Sequence, residues 1–317
     1  MKNLIKIIDN FNGKKIGVVG DVILDHFIRG DVERISPEAP VPVVSVKGED
    51  FIPGGSANTA NNIAALGGLV SVVGIIGSDS AGEKLVAKLN EKRINAVGLI
   101  IDKKRSTIQK VRVVANGQQV VRFDRETTDN ISVQQEKKAI AFVSQNIKDW
   151  DGVVISDYNK GFVTDNLAKE IIKLAKKFGK PIIGDTKPEH ASYFKNIDLL
   201  TPNNKEAVAM AGTKDIKKAG VIIQKQLNCN VLIKRGPQGM TLFEGSSVKN
   251  FPTKAREIFD VVGAGDTVAA TIILALVSGA SLSQAAIIAN YAAGIVVGKP
   301  GTAVVNPEEL RRGLMEN

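Results

Sequence analysis

Short runs of β-branched and other apolar residues alternate along this chain with longer stretches in which apolar positions recur every three or four residues. The short runs are 15–21 (KIGVVGD), 71–78 (VSVVGIIG), 152–157 (GVVISD), 181–185 (PIIGD), 198–202 (DLLTP) and 230–234 (NVLIK). Each reads as a buried strand. The stretches 55–66, 81–92, 132–148, 164–178, 203–211 and 215–228 read as helices. Strands spaced by helices predict crossover units, and hence an α/β fold with a mainly parallel sheet covered on both faces. Such sheets bind ligands at the carboxyl ends of their strands. Several of these strands end in Asp, Ser or Thr, which puts polar groups at that rim.

Two stretches depart from the alternation. Residues 39–49 (APVPVVSVKGE) are extended and Pro-punctuated, with no helix after them. Residues 106–126 are two alternating runs joined by Asn116-Gly117, a strong hairpin signal. Together they predict a small antiparallel sheet over about 39–49 and 106–125, suited to a lid or a dimer surface. No linker, repeat or low-complexity segment interrupts the chain, so one domain spanning 1–317 with a lid insertion is expected.

Composition narrows the class. Hydrophobic residues at 44% and charged residues at 24% suit a globular chain. The one cysteine, Cys229, rules out a disulfide framework or a cysteine-rich metal site. The N-terminal MKNLIKIIDNFNGKK lacks the apolar core of a signal peptide and reads as a short amphipathic helix. The longest apolar stretch, TVAATIILALVSG, is too short to cross a bilayer. A cytoplasmic protein with no membrane partner is expected. The net charge of +9 is spread along helices, and aromatics are only 5%. Solvated helix faces explain it, with an electropositive cleft for anionic small molecules as the second reading. Dispersed charge disfavours nucleic acid as a partner.

Candidate chemistry gathers at a few helix starts. In DVVGAGDTVAA (260–270), Gly263, Ala264 and Gly265 clear space just before a helical run. The unpaired N–H groups of that first turn form an anion site. A phosphate there would leave Asp266 facing an attacking hydroxyl; the plainer alternative is that Asp266 only caps the helix. PGGSANTANNIAALGG (53–68) sets Gly54, Gly55 and Asn58 at another helix start, which a plain N-terminal cap would also explain. TPNNKEA (201–207) places Asn203 and Glu206 three apart on one helical face. Such a pair can hold hydrated Mg²⁺ or simply cap the helix. IKRGPQGM (233–240) follows a strand with a Gly-Pro loop that could line a nucleotide phosphate or merely turn the chain.

The order of these motifs resembles the ribokinase-like (PfkB) family of carbohydrate kinases over essentially the whole chain. The family's Gly-Gly and Asn helix matches 54–58, its Asp-x-x-Gly-Ala-Gly-Asp matches 260–266, and its Asn-x-x-Glu matches Asn203 and Glu206. ISPEAPVPVV (35–44), RFDRE (122–126), SDYNKG (156–161) and VVGKPGT (296–302) look like the D-glycero-β-D-manno-heptose 7-phosphate kinase subgroup. The resemblance implies a three-layer sandwich with a small antiparallel β lid, and ATP- and Mg²⁺-dependent phosphorylation of the anomeric hydroxyl of the heptose phosphate, in ADP-heptose synthesis for lipopolysaccharide core. Asp266 would be the general base, and Gly263, Ala264 and Gly265 the anion hole. Asp21, Gly54, Gly55, Asn58, Asp185 and Lys187 would hold the sugar, and Arg122, Arg125 and Lys160 would clamp its phosphate. Lys234, Gly236, Gly239, Asp260 and Asn290 would serve the nucleotide, with Asn203 and Glu206 holding Mg²⁺ through water.

Some relatives use a monovalent cation near 260–266, and subunits often pair through lid strands, so a homodimer is expected. Many members carry a fused adenylyltransferase domain with a His-x-Gly-His motif. Here His26 and His190 lie far apart, so that step is expected from another protein. Thr186 stands where the subgroup has Pro, and Val262 where Thr is common. A same-fold kinase of another sugar or nucleoside, and a non-catalytic sugar or nucleotide sensor, are the rival readings.

Overall fold

The computed structural model describes residues 2–255 and 257–316. The chain opens with α1 (Lys2–Asp9) and β1 (Lys15–Gly20), then leaves the body in two long strands, β2 (Val22–Ile35) and β3 (Pro42–Gly55). It returns through α2 (Ser56–Ala65), β4 (Leu69–Gly77), α3 (Ser80–Glu91) and β5 (Asn95–Asp102). A hairpin of β6 (Gln109–Ala115) and β7 (Gln118–Arg125) follows. The next stretch alternates α4 (Val133–Asn146), β8 (Gly152–Ser156), α5 (Asp165–Lys177), β9 (Ile182–Asp185) and β10 (Leu199–Leu200). Then come α6 (Asn204–Ala211), α7 (Ile216–Leu227), β11 (Asn230–Lys234), β12 (Met240–Glu244) and β13 (Ser247–Phe251). The chain finishes with α8 (Ala264–Val277), α9 (Leu282–Val296) and α10 (Pro307–Met315).

Nine strands form the main sheet in the order β13-β12-β11-β10-β9-β8-β1-β4-β5, parallel from β11 to β5, with β12 and β13 antiparallel at one edge. Alternation along each strand feeds two cores. Ile16 and Val18 of β1 pack with residues of α1, α2, α8 and α9, while Val19 faces the opposite cluster with Val153, Ile155 and residues of α4 and α5. The result is the expected three-layer sandwich. The six helices expected between the strands begin and end within two residues of their predicted bounds. Most carry caps: Asp79, Ser132, Thr164, Asn203 and Asp215 each accept a first-turn N–H. α8 differs. Its N-cap is Gly263, and no side chain caps it.

The second sheet has the order β3-β2-β6-β7. Its outer pairs are antiparallel, as expected, but β2 and β6 run parallel. Two separate excursions of the chain supply the two hairpins, and they leave the body in the same direction. The predicted segments 39–49 and 106–125 cover half of β3 and the β6–β7 hairpin, but miss β2. Its outer half, IRGDVERI, is polar and only half-buried to exposed, so no buried-strand pattern marks it.

Candidate active site

The main sheet changes winding direction at β1, whose neighbours β4 and β8 carry the chain to opposite sides. A crevice opens there at the carboxyl ends. Asp21 sits in it, 1% exposed. Its carboxylate accepts the backbone N–H groups of Tyr158 (2.8 Å), Lys160 (3.1 Å) and Phe162 (3.1 Å). Burial, with the charge of Asp157 adding, raises its pKa to about 6 against those three bonds. Asp21 therefore shapes the 157–162 loop. The expected role was as an acceptor for sugar hydroxyls; the three amide bonds add a loop-anchoring role that spacing did not suggest.

Asp266 lies in the first turn of α8, 4% exposed. Asn58 donates to one carboxylate oxygen (2.6 Å), and Tyr158 (2.7 Å) and Thr59 (3.1 Å) donate hydroxyls to the other. The donors come from α2 and from the loop that Asp21 holds, so the base position is assembled across three elements. Asp266 makes no cap bond to its own helix, which disposes of the plain capping alternative. Burial raises its pKa to about 6, opposed mainly by the bonds from Tyr158 and Asn58. The Tyr158 phenol is pushed well above its ordinary value of 10.0 by burial and then by the Asp266 charge, so it remains a donor. Gly263 starts the helix at φ +81°, and a Cβ there would lie 2.8 Å from the Asn58 amide nitrogen and 2.9 Å from the Thr302 methyl. Within the expected anion hole, the Ala264 N–H turns back to the Val261 carbonyl (3.3 Å). The next two amides, Gly265 and Asp266, face the helix end without a side-chain cap.

A second charged cluster adjoins this turn. Lys234 bonds both oxygens of Asp185 (3.0 and 2.9 Å), and its ammonium would lie 3.2 Å from a Cβ on Gly265. Lys187 bonds Glu206 (2.6 Å), whose other oxygen accepts the Asn203 N–H (2.8 Å). Burial raises the pKa of Asp185 despite Lys234, with Glu206 adding to the rise. For Lys187, burial opposes the charge, but Glu206 and Asp185 outweigh it and raise the pKa. Beside the cluster lies a cavity of about 420 Å³, lined by Asn203, Lys234, Gly236, Gly239, Gly265 and Asn290 among others.

The comparisons with known proteins decide what frame this geometry belongs to. The description "pfkB family carbohydrate kinase" matches residues 14–309. The chain belongs to that family. It is 40% identical over 303 residues to the Bifunctional protein HldE of Helicobacter pylori (strain J99), covering 94% of this chain and 65% of that protein. The fold matches phosphofructokinase-2 from Escherichia coli in complex with potassium (TM-score 0.79, 22% identity, 96% and 99% coverage). It also matches Arabidopsis thaliana ribokinase complexed with ribose and ATP (TM-score 0.73, 21% identity, 95% and 99% coverage).

Within this pfkB-family chain, Gly54 and Gly55 close β3 directly above the crevice. A Cβ on Gly54 would lie 2.2 Å from an Asp25 carboxylate oxygen, so only glycine leaves room for that side chain. Asp25 is 6% exposed and pairs with Arg112 (2.5 Å). Sequence reasoning missed Asp25 because it read no strand at β2, and it passed over Arg112 inside the hairpin it did expect. Tyr158 and Thr59 were also missed, although each lies inside a stretch already singled out. The expected clamp changes too. Arg122 is bidentate to Asp124 (3.0 and 2.9 Å) and Lys160 bonds Glu126 (2.7 Å). Arg125 pairs in register with Gln109, on the opposite face of the hairpin from Arg122. Residues three apart on a strand cannot share a face. Asp260 caps its own loop by accepting the Val262 N–H (2.9 Å), and Asn290 donates to the Pro252 carbonyl (2.6 Å). Thr186, in place of Pro, donates to Asp157 (2.5 Å), so the departure tightens the loop beside Asp185.

Proposed function

We propose that this chain transfers the γ-phosphoryl group of ATP to the C1 hydroxyl of D-glycero-β-D-manno-heptose 7-phosphate. The observation that carries the kinase reading is a buried carboxylate, Asp266, held by three donors at an uncapped helix start. The likeness to HldE, together with the subgroup motifs, supports the acceptor. The chain spans about two thirds of the length of that relative. Asp25 and Arg112 would orient the sugar, and the cavity beside Lys234 and Asn290 would take the nucleotide. Asp266 accepts the C1 hydroxyl proton as that oxygen bonds phosphorus and the bond to the ADP oxygen breaks. The first-turn amides of α8 and the Lys234 ammonium carry charge on the moving group. The Thr302 hydroxyl, buried beside Gly263 without a hydrogen-bond partner, fits a phosphoryl oxygen there.

Mg²⁺ fits in one way only. No three His, Cys, Asp or Glu side chains converge among the described residues, and both Glu206 oxygens already accept a bond. That set suits a hydrated ion held through water by Glu206 near Asn203, with phosphates as its direct ligands. When bound, the ion neutralises phosphate charge. Glu206→Gln should keep the capping box, since Gln serves at that position. It should raise the Mg²⁺ needed for half-maximal rate several-fold, with a modest fall in melting temperature because Lys187 loses its charge partner. A wild-type Mg²⁺ titration would remove Glu206 from the metal's shell.

Activity should follow the ionisation of Asp266. A base works only when charged, so kcat/KM should climb through pH about 6 and level off above it. The slope counts the groups involved, since Asp21 titrates in the same range, as does the phosphate monoester of the proposed acceptor. A profile flat from pH 5 to 8 would reject the base assignment.

A homodimer through the second sheet fits its exposed Ile35, Val46, Val121 and Phe123, 42–62% accessible. No helix among the described residues is long and apolar enough to cross a membrane, and a cytoplasmic site of action is proposed. A monovalent cation near 260–266 belongs to the same reading. The deciding assay is ADP release with Mg-ATP against heptose 7-phosphate, fructose, fructose 6-phosphate and ribose. Turnover of the heptose phosphate alone supports the proposal. Turnover of another acceptor keeps the kinase and replaces the substrate, and silence on all four points to a sensor.

A further inference from the structure

The cleft side of the second sheet carries one charge too many. Register places Asp25 beside Lys110, Lys110 beside Asp124, and Arg112 beside Arg122, so these side chains share a face. Three of the local cations have carboxylate partners: Arg112 with Asp25 (2.5 Å), Arg122 with Asp124 (2.9 Å) and Lys160 with Glu126 (2.7 Å). Lys110 has no ion-pair partner among the described residues. Its ammonium stands 5.7 Å over the Tyr158 ring, and the hydroxyl of that ring bonds Asp266. Burial lowers the pKa of Lys110, and the nearby charges of Arg122 and Lys160 push the same way against Asp25 and Asp124. A half-buried ammonium with three spare donors and cationic neighbours is incomplete without an anion.

We infer that Lys110 binds the phosphate already present on the acceptor, at the far end of the sugar from Asp266. This rests on the proposed phosphorylated acceptor. It moves the centre of the clamp from Arg122, Arg125 and Lys160 to a residue not singled out in the sequence. The nucleotide cavity contains none of these residues, so ATP should not depend on Lys110.

Two measurements test it. Lys110→Met should raise KM for heptose 7-phosphate about 10- to 100-fold, the usual loss for a charge-assisted bond. The kcat should stay within a few-fold and KM for ATP should be unchanged, with Lys110→Arg recovering most of the loss. Separately, with the nucleotide site filled by a non-hydrolysable ATP analogue, inorganic phosphate should raise the melting temperature of wild type but not of Lys110→Met. A heptose phosphate whose KM ignores Lys110→Met overturns this inference. Loss of the phosphate-induced melting shift in Lys110→Met, alongside a wild type inert toward heptose phosphate, would keep the anion site and overturn the acceptor.

Discussion

Asp266→Asn should cut turnover roughly 10³-fold while leaving ATP affinity near that of wild type. Positioned proton transfer contributes about 10²–10⁴-fold, and Asn keeps the size of the side chain but cannot take a proton. Its carbonyl oxygen can still accept the hydroxyls of Tyr158 and Thr59, which both reach the same carboxylate oxygen in the wild type. The fold and the nucleotide cavity should therefore persist. Steady-state kinetics with equilibrium dialysis of ATP checks both halves. A folded variant that no longer binds ATP would show that Asp266 serves the nucleotide instead.

Gly263→Ala should be nearly as damaging, for two reasons that add. The φ of +81° costs a side chain roughly 1–2 kcal/mol. The new methyl also meets the Asn58 amide at 2.8 Å, and that amide donates to Asp266. Either the helix start shifts or Asn58 leaves the base. Losing one preorganised donor typically costs about 10²–10³ in kcat, so a fall in that range is expected with a modest drop in melting temperature. Gly179→Ala is the control: it has φ +62° and nothing within 4 Å of the added Cβ. It should lose only the stability that the positive φ costs and keep its activity. Equal activity in both variants would mean that the start of α8 tolerates movement, and the anion site would have to be sought elsewhere.

The main sheet and its helices were legible because both report themselves locally. Buried parallel strands are continuous apolar runs, and most helices here begin at Ser, Thr, Asp or Asn with an apolar stripe after them. β2 was not legible, since a partly exposed polar strand has no such run. That omission propagated to the site. With no strand read after Asp21, the acid at that strand end was expected to hold the sugar, while Asp25, four residues on in β2, went unseen. Asp266 and the cluster of Lys234, Asp185, Glu206 and Lys187 sit where the motifs placed them, because each lies at or beside a strand end or a helix start. Which oxygens were already spoken for could not be read. Asp21 is satisfied by amides from 158–162, more than a hundred residues away, and pairing of that kind leaves no trace in spacing. Arg125 failed for a simpler reason, that proximity in sequence on a strand alternates faces.

The second sheet joins the body by two excursions, and so by four chain crossings, at residues near 21, 55, 105 and 128. A panel fixed at four points has little freedom to flap. Any closure over the crevice is a tilt about the line of those crossings, with its strands already ordered. An unstructured lid would surrender roughly 1–2 kcal/mol per residue on every capture. Here that loss was taken once, at folding, so the crossings themselves are where stiffness could be tuned to set how fast sugar enters and product leaves.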